Sequence, residues 1–317
     1  MSNDYFLATV KEYSPDIPDL SEYGERVHRL IEASVAPETR RAYTSRLRRF
    51  AGWCQDKGFS FSYPVEAEIL AMYITDMTED GLSYATIEQT MAAISTTHKA
   101  QGFSSPTESL LVKKLLKGCR REYGTAHKKP DAATVEIVRY LLNTIPEDTS
   151  PKNIRDRAII ALGFAGAFRR SELCAIDIEN LKWVFRGTQE VLLIDVERSK
   201  TDQERRGMTK AIFPSSDKSV SPTELLKKWL NIRGHEGALF TRILKGNHLT
   251  DDRLTPQSIR LIVKHTAVRA GLSLDLTAHS LRSGFVTTAI RQGKTERSIM
   301  NQTGHKSTQV LREYFLR

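Results

Sequence analysis

Signals for β-strands are confined to one part of this sequence, and the long stretch before it has the spacing of helices. From Leu20 to about Gly124 the apolar residues follow helical periodicity, and glycines and prolines divide the segment into about five helices. Runs of β-branched and aromatic residues occur only later, at 183–185, 191–196 and 208–213, with turn-forming residues between them. The sequence therefore predicts a mainly α-helical protein with a small antiparallel β-sheet in its C-terminal domain.

A polar stretch with glycine, proline and lysines, residues 124–133, separates the two halves and predicts a linker between two domains. We expect an all-helical domain over residues 20–123 and an α+β domain over residues 134–317. Residues 1–19 carry two prolines and little periodicity, which predicts a flexible N-terminal arm. A chain of 317 residues is long enough to bury two hydrophobic cores.

The net positive charge of the chain comes from its second half. Residues 1–128 contain 16 Lys and Arg against 17 Asp and Glu, whereas residues 129–317 contain 31 against 21. This distribution favours a polyanionic partner. No apolar run is long enough for a transmembrane helix and the N-terminus lacks the layout of a signal peptide, so no membrane association is expected. The three cysteines are far apart, which favours a reducing cytoplasm and excludes a thiolate zinc site.

One predicted helix of the N-terminal domain has an unusual excess of positive charge. It begins at Pro37 and keeps one apolar stripe, while its other faces carry the arginines Arg40, Arg41, Arg46, Arg48 and Arg49. No acidic residue lies between Glu38 and Asp56 to form the salt bridges that are usual on a solvated helix. We therefore expect this helix to lie against phosphates. A basic helix without a partner is the alternative.

The last forty residues carry two histidines, an arginine and a tyrosine at fixed offsets, namely His279, Arg282, His305 and Tyr314. A guanidinium donates paired hydrogen bonds to phosphate oxygens, and an imidazole transfers or donates a proton near neutral pH. A tyrosine hydroxyl becomes a nucleophile when neighbouring cations and a base favour its phenolate. The set predicts chemistry on a phosphodiester, although each residue type alone also occurs as an ordinary core or surface residue.

Two earlier motifs complete the set. They are Arg169-x-Ser171-Glu172, where a helix is predicted to begin with Ser171 near its cap, and Lys200-Thr in a predicted turn between two strands. With these motifs in this order, and with a predicted sheet around the lysine, residues 20–317 resemble the tyrosine recombinase/integrase family, and most of all its Cre-like members.

The resemblance implies an enzyme that cuts and rejoins duplex DNA through a covalent 3′-phosphotyrosyl intermediate without metal, ATP or another cofactor. Arg169 and Arg282 would grip the scissile phosphate. Tyr314 would attack phosphorus while His279 helps to take its proton, and Lys200 would protonate the departing 5′ oxygen.

Supporting roles follow from the same resemblance. His305 would donate a hydrogen bond to the phosphate, at a position where Cre has tryptophan. Glu172 would be a carboxylate that holds the site, with a structural salt bridge as the open alternative. Arg170 would have a structural role or would contact the DNA backbone.

The resemblance also implies that the two domains form a C-shaped clamp around DNA. The arginine-rich helix and the helix from Ser83 to Gln101 would approach from one side, and the loop 242–247 with a following helix from the other. Beyond the arginine-rich helix, the expected DNA-binding residues are Gln89, Lys99, Arg242, Lys245, Gln257 and Arg260.

The expected partners are double-stranded DNA with inverted-repeat recombination sites and further copies of the chain, as a dimer on one site and a tetramer in the synapse. The expected location is the cytoplasm, at the nucleoid, in a bacterial, phage or plasmid context. Relatives usually continue past the tyrosine into a helix that docks on a neighbouring protomer. This sequence ends three residues after Tyr314, so a weak tetramer is expected.

Three alternatives stay open: a type IB topoisomerase-like enzyme, a telomere resolvase, and a non-catalytic DNA-binding regulator on the same scaffold. The Arg-x-Ser-Glu spacing and the helical N-terminal domain favour a recombinase over the first. The complete set of motifs argues against the last.

Overall fold

The computed structural model describes residues 37–124, 130–196, 207–305, 307 and 308, together with Tyr23, Arg26 and Arg29. The chain divides into two compact units, Met1–His127 and Lys128–Arg317. This division falls within residues 124–133, and the domain limits that the sequence suggested stay a prediction. The predicted arm over residues 1–19 lies outside the described residues, as do Lys200 and Tyr314.

Over its described residues 37–124 the first unit consists of helices and the turns that connect them. Its helices are α1 Pro37–Asp56, α2 Ala67–Glu79, α3 Tyr84–Ala100 and α4 Leu110–Tyr123, with a 3-10 helix at Pro106–Glu108. Ser83 and Ser109 accept hydrogen bonds from backbone N–H groups in the first turns of α3 and α4, as helix N-caps do. The apolar stripe of α1 is buried at Phe50, whose ring centroid lies 4.9 Å from that of Tyr73 in α2.

The described residues of the second unit combine helices with two small sheets. Its helices are α5 Val135–Thr144, α6 Pro151–Ala165, α7 Arg170–Ala175, α8 Pro222–Arg233, α9 Pro256–Arg269, α10 Ala278–Arg291 and α11 Glu296–Thr303. Its strands are β1 Leu181–Arg186, β2 Gln189–Val196, β3 Met208–Ile212, β4 Thr241–Ile243 and β5 Leu249–Arg253, and a 3-10 helix covers Ile178–Asn180. The predicted fold class, mainly α-helical with a small antiparallel sheet, is confirmed.

The sheets are antiparallel. The larger one has the order β1-β2-β3, with Leu193 of β2 opposite Ala211 of β3, and the smaller is the β4–β5 hairpin. Within the described ranges every helix is too short or too polar to span a bilayer.

Helix α6 is the centre of the second unit. Residues 155–163 are all buried, which is the pattern of a helix covered on every side. It packs against α5, α8 and α10, and its residues Ile159 and Leu162 belong to the same apolar core as Leu192 and Ile194 of β2. Because α6 is fixed from all directions, the turn at its C-terminal end has a defined position.

The structure refines two local predictions. Residues 242 and 243 of the predicted loop belong to strand β4, while residues 244–247 form the turn of a hairpin, in which the Leu244 N–H donates to the His248 carbonyl at 2.9 Å. Helix α7 begins at Arg170, so Ser171 lies near the cap as expected. The cap is Arg169, because the Glu172 carboxylate reaches back and accepts the hydrogen bond of the Arg169 N–H at 3.0 Å.

Candidate active site and nucleic-acid interface

The candidate active site is built on the turn that follows α6. Helix α6 ends at Ala165, and Ala167 then adopts a left-handed φ of 45°, which is uncommon for a residue other than glycine. Phe168 is buried next in the chain, and Arg169 begins the approach to α7 with a half-buried side chain. Arg170 is exposed. The turn therefore directs one of the two adjacent arginines into the structure.

Three consecutive carbonyl oxygens in this turn, those of residues 165–167, accept hydrogen bonds from three different elements. Gln302 of α11 donates to the carbonyl of residue 165 at 3.0 Å, and Lys210 of β3 donates to that of residue 166 at 2.8 Å. Arg282 of α10 donates to the carbonyl of residue 167 at 2.9 Å. The C-terminal end of a helix carries partial negative charge, which favours cations there. These bonds hold α10, α11 and β3 around one point.

Glu172 fixes the first arginine of the site. Its Oε1 accepts a hydrogen bond from Arg169 Nη1 at 2.5 Å, and its Oε2 lies 3.7 Å from Lys210 Nζ. The Glu172 carboxylate is only 2% exposed. The interaction is therefore a buried salt bridge that also orients the Arg169 guanidinium, so both sequence-based interpretations of Glu172 describe the same contact.

The second arginine and the first histidine lie on one face of α10. His279 and Arg282 are three residues apart, which places them side by side on a helix. The Arg282 side chain is 2% exposed, whereas His279 is exposed. Partial desolvation, reinforced by the guanidiniums of Arg282 and Arg169, lowers the pKa of His279. At neutral pH the imidazole is therefore uncharged and able to accept a proton.

His305 joins the site from the end of α11. The helix closes at Gly304, whose left-handed φ of 71° returns the chain, and His305 follows with its Nδ1 2.9 Å from Thr303 Oγ1. Burial, together with nearby positive groups, lowers the pKa of His305 to about 4. The groups that act on its pKa electrostatically are Arg282, Arg169, His279 and Lys210. The structure thus gathers Arg169, Glu172, His279, Arg282 and His305, while Lys200 and Tyr314 lie outside the described residues.

Lys210 is a component of the site that the sequence reasoning missed. Its side chain is fully buried, and its Nζ lies 4.7 Å from the centroid of the Phe168 ring. Burial lowers its pKa to about 7; Arg282 and Arg169 act in the same direction, and Glu172 opposes them. The sequence did contain a signal for a buried lysine. Lys210 lies two residues from Met208 and two from Ile212, so all three share the inward face of β3.

A basic surface covers α1 in the first unit. A surface cleft is lined by the arginines Arg40, Arg41, Arg48 and Arg49 together with Thr44 and Ser45. Arg46 is half-buried instead, and its Nη2 donates to Gln89 Oε1 of α3 at 3.3 Å. The structure thereby joins the expected DNA-binding residues of α1 and α3. Lys99 lies further along α3 and forms a salt bridge with Glu108 at 2.8 Å.

The expected DNA-binding residues of the second unit are accessible. Arg242 and Lys245 are exposed on the β4–β5 hairpin. Gln257 is exposed in the first turn of α9, and Arg260 is half-buried one turn later. Their contact with DNA stays a prediction.

The guanidinium of Arg282 and the ammonium of Lys210 are buried at one helix end, and the half-buried Arg169 guanidinium and two uncharged imidazoles join them. Such a set of groups is suited to the transfer of a phosphoryl group. Together with the two-unit helical fold, this site defines the class of the tyrosine recombinases. The chain belongs to the phage integrase family, whose model matches residues 134–316.

Relatives agree with this assignment. The integrase/recombinase xerD homolog of Selenomonas ruminantium is 35% identical over 294 residues, which cover 91% of this chain and 84% of the relative. Recombinase cre of Escherichia phage P1 is 22% identical in an alignment that covers 99% of this chain and 94% of the relative. The family resemblance inferred from the motifs is confirmed, and by family the chain is a site-specific tyrosine recombinase.

Solved structures agree in fold. XerH site-specific recombinase, bound to a palindromic difH substrate after cleavage, matches with a TM-score of 0.60 at 21% identity, covering 87% of this chain and 75% of that one. A lambda integrase tetramer bound to a Holliday junction matches with a TM-score of 0.60 at 15% identity, covering 97% and 84%.

Proposed function

We propose that this recombinase cuts and rejoins duplex DNA at specific sites through a covalent 3′-phosphotyrosyl intermediate on Tyr314. The observation that carries the proposal is the meeting of Arg169 and Arg282 at the turn after α6. One guanidinium is held by the Glu172 carboxylate and the other by the Ala167 carbonyl. Two fixed guanidiniums supply the charge stabilisation that a phosphoryl-transfer transition state needs.

In the proposed cleavage step the Tyr314 oxygen forms a bond to phosphorus, and the bond from phosphorus to the 5′ oxygen breaks. The phenolic proton passes to His279, and the departing 5′ oxygen takes a proton from Lys200. The roles of Lys200 and Tyr314 rest on the order of the sequence motifs. The lowered pKa of His279 supports its role, since an uncharged imidazole can accept the proton.

Rejoining reverses these steps. A 5′ hydroxyl from another strand attacks the phosphotyrosyl ester, and the Tyr314 oxygen leaves with a proton returned to it. Because the ester retains the energy of the broken phosphodiester, resealing requires no ATP. Exchange of partners between cleavage and resealing turns the reaction into recombination.

The proposed partners are duplex DNA with inverted-repeat sites and further copies of this chain. The basic cleft of α1 supports binding to a phosphate backbone, since its arginines are exposed. XerH is seen on a palindromic substrate and lambda integrase as a tetramer on a Holliday junction, which supports a dimer on each site and a tetramer in the synapse. The relatives from bacteria and a phage support a cytoplasmic location at the nucleoid. None of these observations favours the topoisomerase, telomere-resolving or non-catalytic alternatives.

Trapping of a covalent complex tests the proposal. A binding site is first selected with this protein from a pool of random duplexes, and a nick beside the cleavage position then prevents resealing. Wild-type protein should form a denaturant-resistant complex with this duplex, whereas Tyr314→Phe should shift the duplex on a native gel without forming the adduct. An adduct with Tyr314→Phe, or none with wild-type protein that binds the duplex, would refute the proposal.

A further inference from the structure

Thr303 and His305 form a hydrogen bond whose direction follows from a third group. Thr303 Oγ1 lies 2.9 Å from His305 Nδ1 and 2.7 Å from the carbonyl oxygen of Ile299. A hydroxyl group has one proton, and a carbonyl oxygen can only accept. The Thr303 proton is therefore donated to Ile299, and the Thr303 oxygen accepts the Nδ1–H of His305.

The position of Thr303 makes this arrangement rigid. Thr303 is fully buried in the last turn of α11, and its hydroxyl bonds to the carbonyl four residues earlier, as threonine does inside helices. The chain leaves the helix through Gly304 in a left-handed conformation, which places His305 beside the hydroxyl. A neutral imidazole has one N–H, so a proton on Nδ1 leaves Nε2 as an acceptor.

The groups that act on the pKa of His305 are arginines, which carry a positive charge, and a histidine and a lysine, which can become positively charged. Arg282 and His279 of α10, Arg169 at the start of α7 and Lys210 of β3 all act on the His305 ring electrostatically. Burial and these charges lower the pKa of His305 to about 4, so its ring is neutral at physiological pH. In this state Nε2 presents a lone pair, and a lone pair repels a phosphate oxygen.

We propose that Thr303 fixes His305 as the Nδ1–H tautomer, so that His305 binds a DNA phosphate only after its Nε2 has taken up a proton from solvent. Thr303 is then a positioning residue that couples DNA binding to proton uptake. The inference rests on the proposed function, because it specifies how the expected phosphate donor acquires its hydrogen.

The coupling has a physical source in the same charges. A phosphate between Arg169 and Arg282 offsets the positive field that keeps His305 neutral, and a nearby anion raises the pKa of an imidazole. Because the complex then holds more protons than its free components, DNA affinity rises as pH falls. Without the Thr303 acceptor, the neutral ring is free to carry its proton on Nε2 and to donate it directly.

The tautomer can be measured in the free protein. Nitrogen-15 NMR of the histidine rings should show a pyrrole-like Nδ1 and a pyridine-like Nε2 for His305 in the wild type. Thr303→Ser keeps the hydroxyl and should keep this pattern, whereas Thr303→Val should lose it. A pyridine-like Nδ1 in the wild type would overturn the proposal, whether or not the Val variant folds.

Proton uptake is measured by titration calorimetry in buffers of different ionisation enthalpy. A Tyr314→Phe background prevents cleavage, and the probe is the duplex selected with this protein. With Thr303 intact, binding should take up as much as about one proton per protomer more than with Thr303→Val near pH 7. Equal uptake in the two proteins would overturn the proposal.

Thr266 offers a matched control. It is buried in α9, and its hydroxyl donates to the Ile262 carbonyl, four residues earlier, at 2.9 Å. Thr266→Val should lose the same type of helix-internal bond without altering proton uptake, and a loss as large as that of Thr303→Val would overturn the proposal. If Tyr314 forms no adduct although the His305 tautomer is as expected, the proposed function fails while the tautomer assignment stands.

Discussion

Lys210 and Arg282 donate to the same carbonyl oxygen, that of Ala167, at 3.4 and 2.9 Å. Two cations on one acceptor repel each other. The repulsion is offset by the negative end of α6 and by the Glu172 carboxylate, whose Oε2 lies 3.7 Å from Lys210 Nζ. Lys210 and Arg282 are thus held in place by contacts within the protein, so the positive field of the site does not have to be assembled by DNA.

Lys210→Met should change how stability depends on pH. Burial lowers the pKa of Lys210 to about 7 in the folded protein, against about 10.4 in an unfolded chain. Between these values the unfolded chain holds a proton that the folded chain has lost, so stability increases with pH in this window. The free energy of unfolding, measured in urea from about pH 7 to about pH 10, should rise more steeply for wild type than for the variant. Parallel curves would contradict a buried, titrating lysine.

Glu172→Gln should impair cleavage more than DNA binding. The amide keeps the size of the carboxylate but removes the charge that orients Arg169. Single-turnover cleavage should fall by about 10²–10³-fold, the usual loss when a preorganised donor is disturbed.

Glu190→Gln is the control for this variant, because Glu190 forms a more exposed salt bridge with Lys227 at 2.5 Å. It should leave the cleavage rate nearly unchanged. Similar losses in the two variants would show that Glu172 has no special role in the reaction.

Gly284→Ala should destabilise the second unit. An added Cβ would lie 1.7 Å from the carbonyl oxygen of Ala133, and a backbone atom cannot move aside easily. We expect the free energy of unfolding to fall by about 1–3 kcal/mol. Gly118→Ala in α4 has no atom within 4 Å of the new Cβ and should instead stabilise by about 0.5–1 kcal/mol. Denaturant titrations that give the two variants the same sign would contradict this packing.

The salt dependence of DNA binding should report on the α1 cleft. Arg48→Ala should weaken binding and reduce the slope of log affinity against log salt by about one, because one phosphate contact is lost. Arg186, exposed at the end of β1, provides a control outside this cleft, and Arg186→Ala should preserve the slope. An unchanged slope for Arg48→Ala would exclude that arginine from the DNA interface.

Sequence patterns identified the side chains of the site but not their meeting point. Arg169, His279, Arg282 and His305 were found by motif and spacing, which local sequence preserves. Their convergence depends on the turn after α6, where Ala167 has a left-handed backbone conformation. The residue types in this turn do not predict that conformation. Carbonyl acceptors have no sequence signature, and this is why Lys210 was missed despite its place on an inward face.

The β4–β5 hairpin was missed for a different reason. Leu249–Arg253 is mostly exposed and polar, so it shows no clear alternation of apolar residues. The signal lay in its turn, where Gly246 and Asn247 have φ values of 84° and 64°. A glycine with asparagine in these conformations is typical of a tight hairpin.

The most direct measurement is the identity of the residue joined to DNA. The trapped complex is digested with nuclease and protease, and mass spectrometry locates the remaining nucleotide. We expect it on the peptide that contains Tyr314, linked through a 3′ phosphate to the phenolic oxygen. A nucleotide on any of the other tyrosines, or a 5′ linkage, would contradict the proposed chemistry.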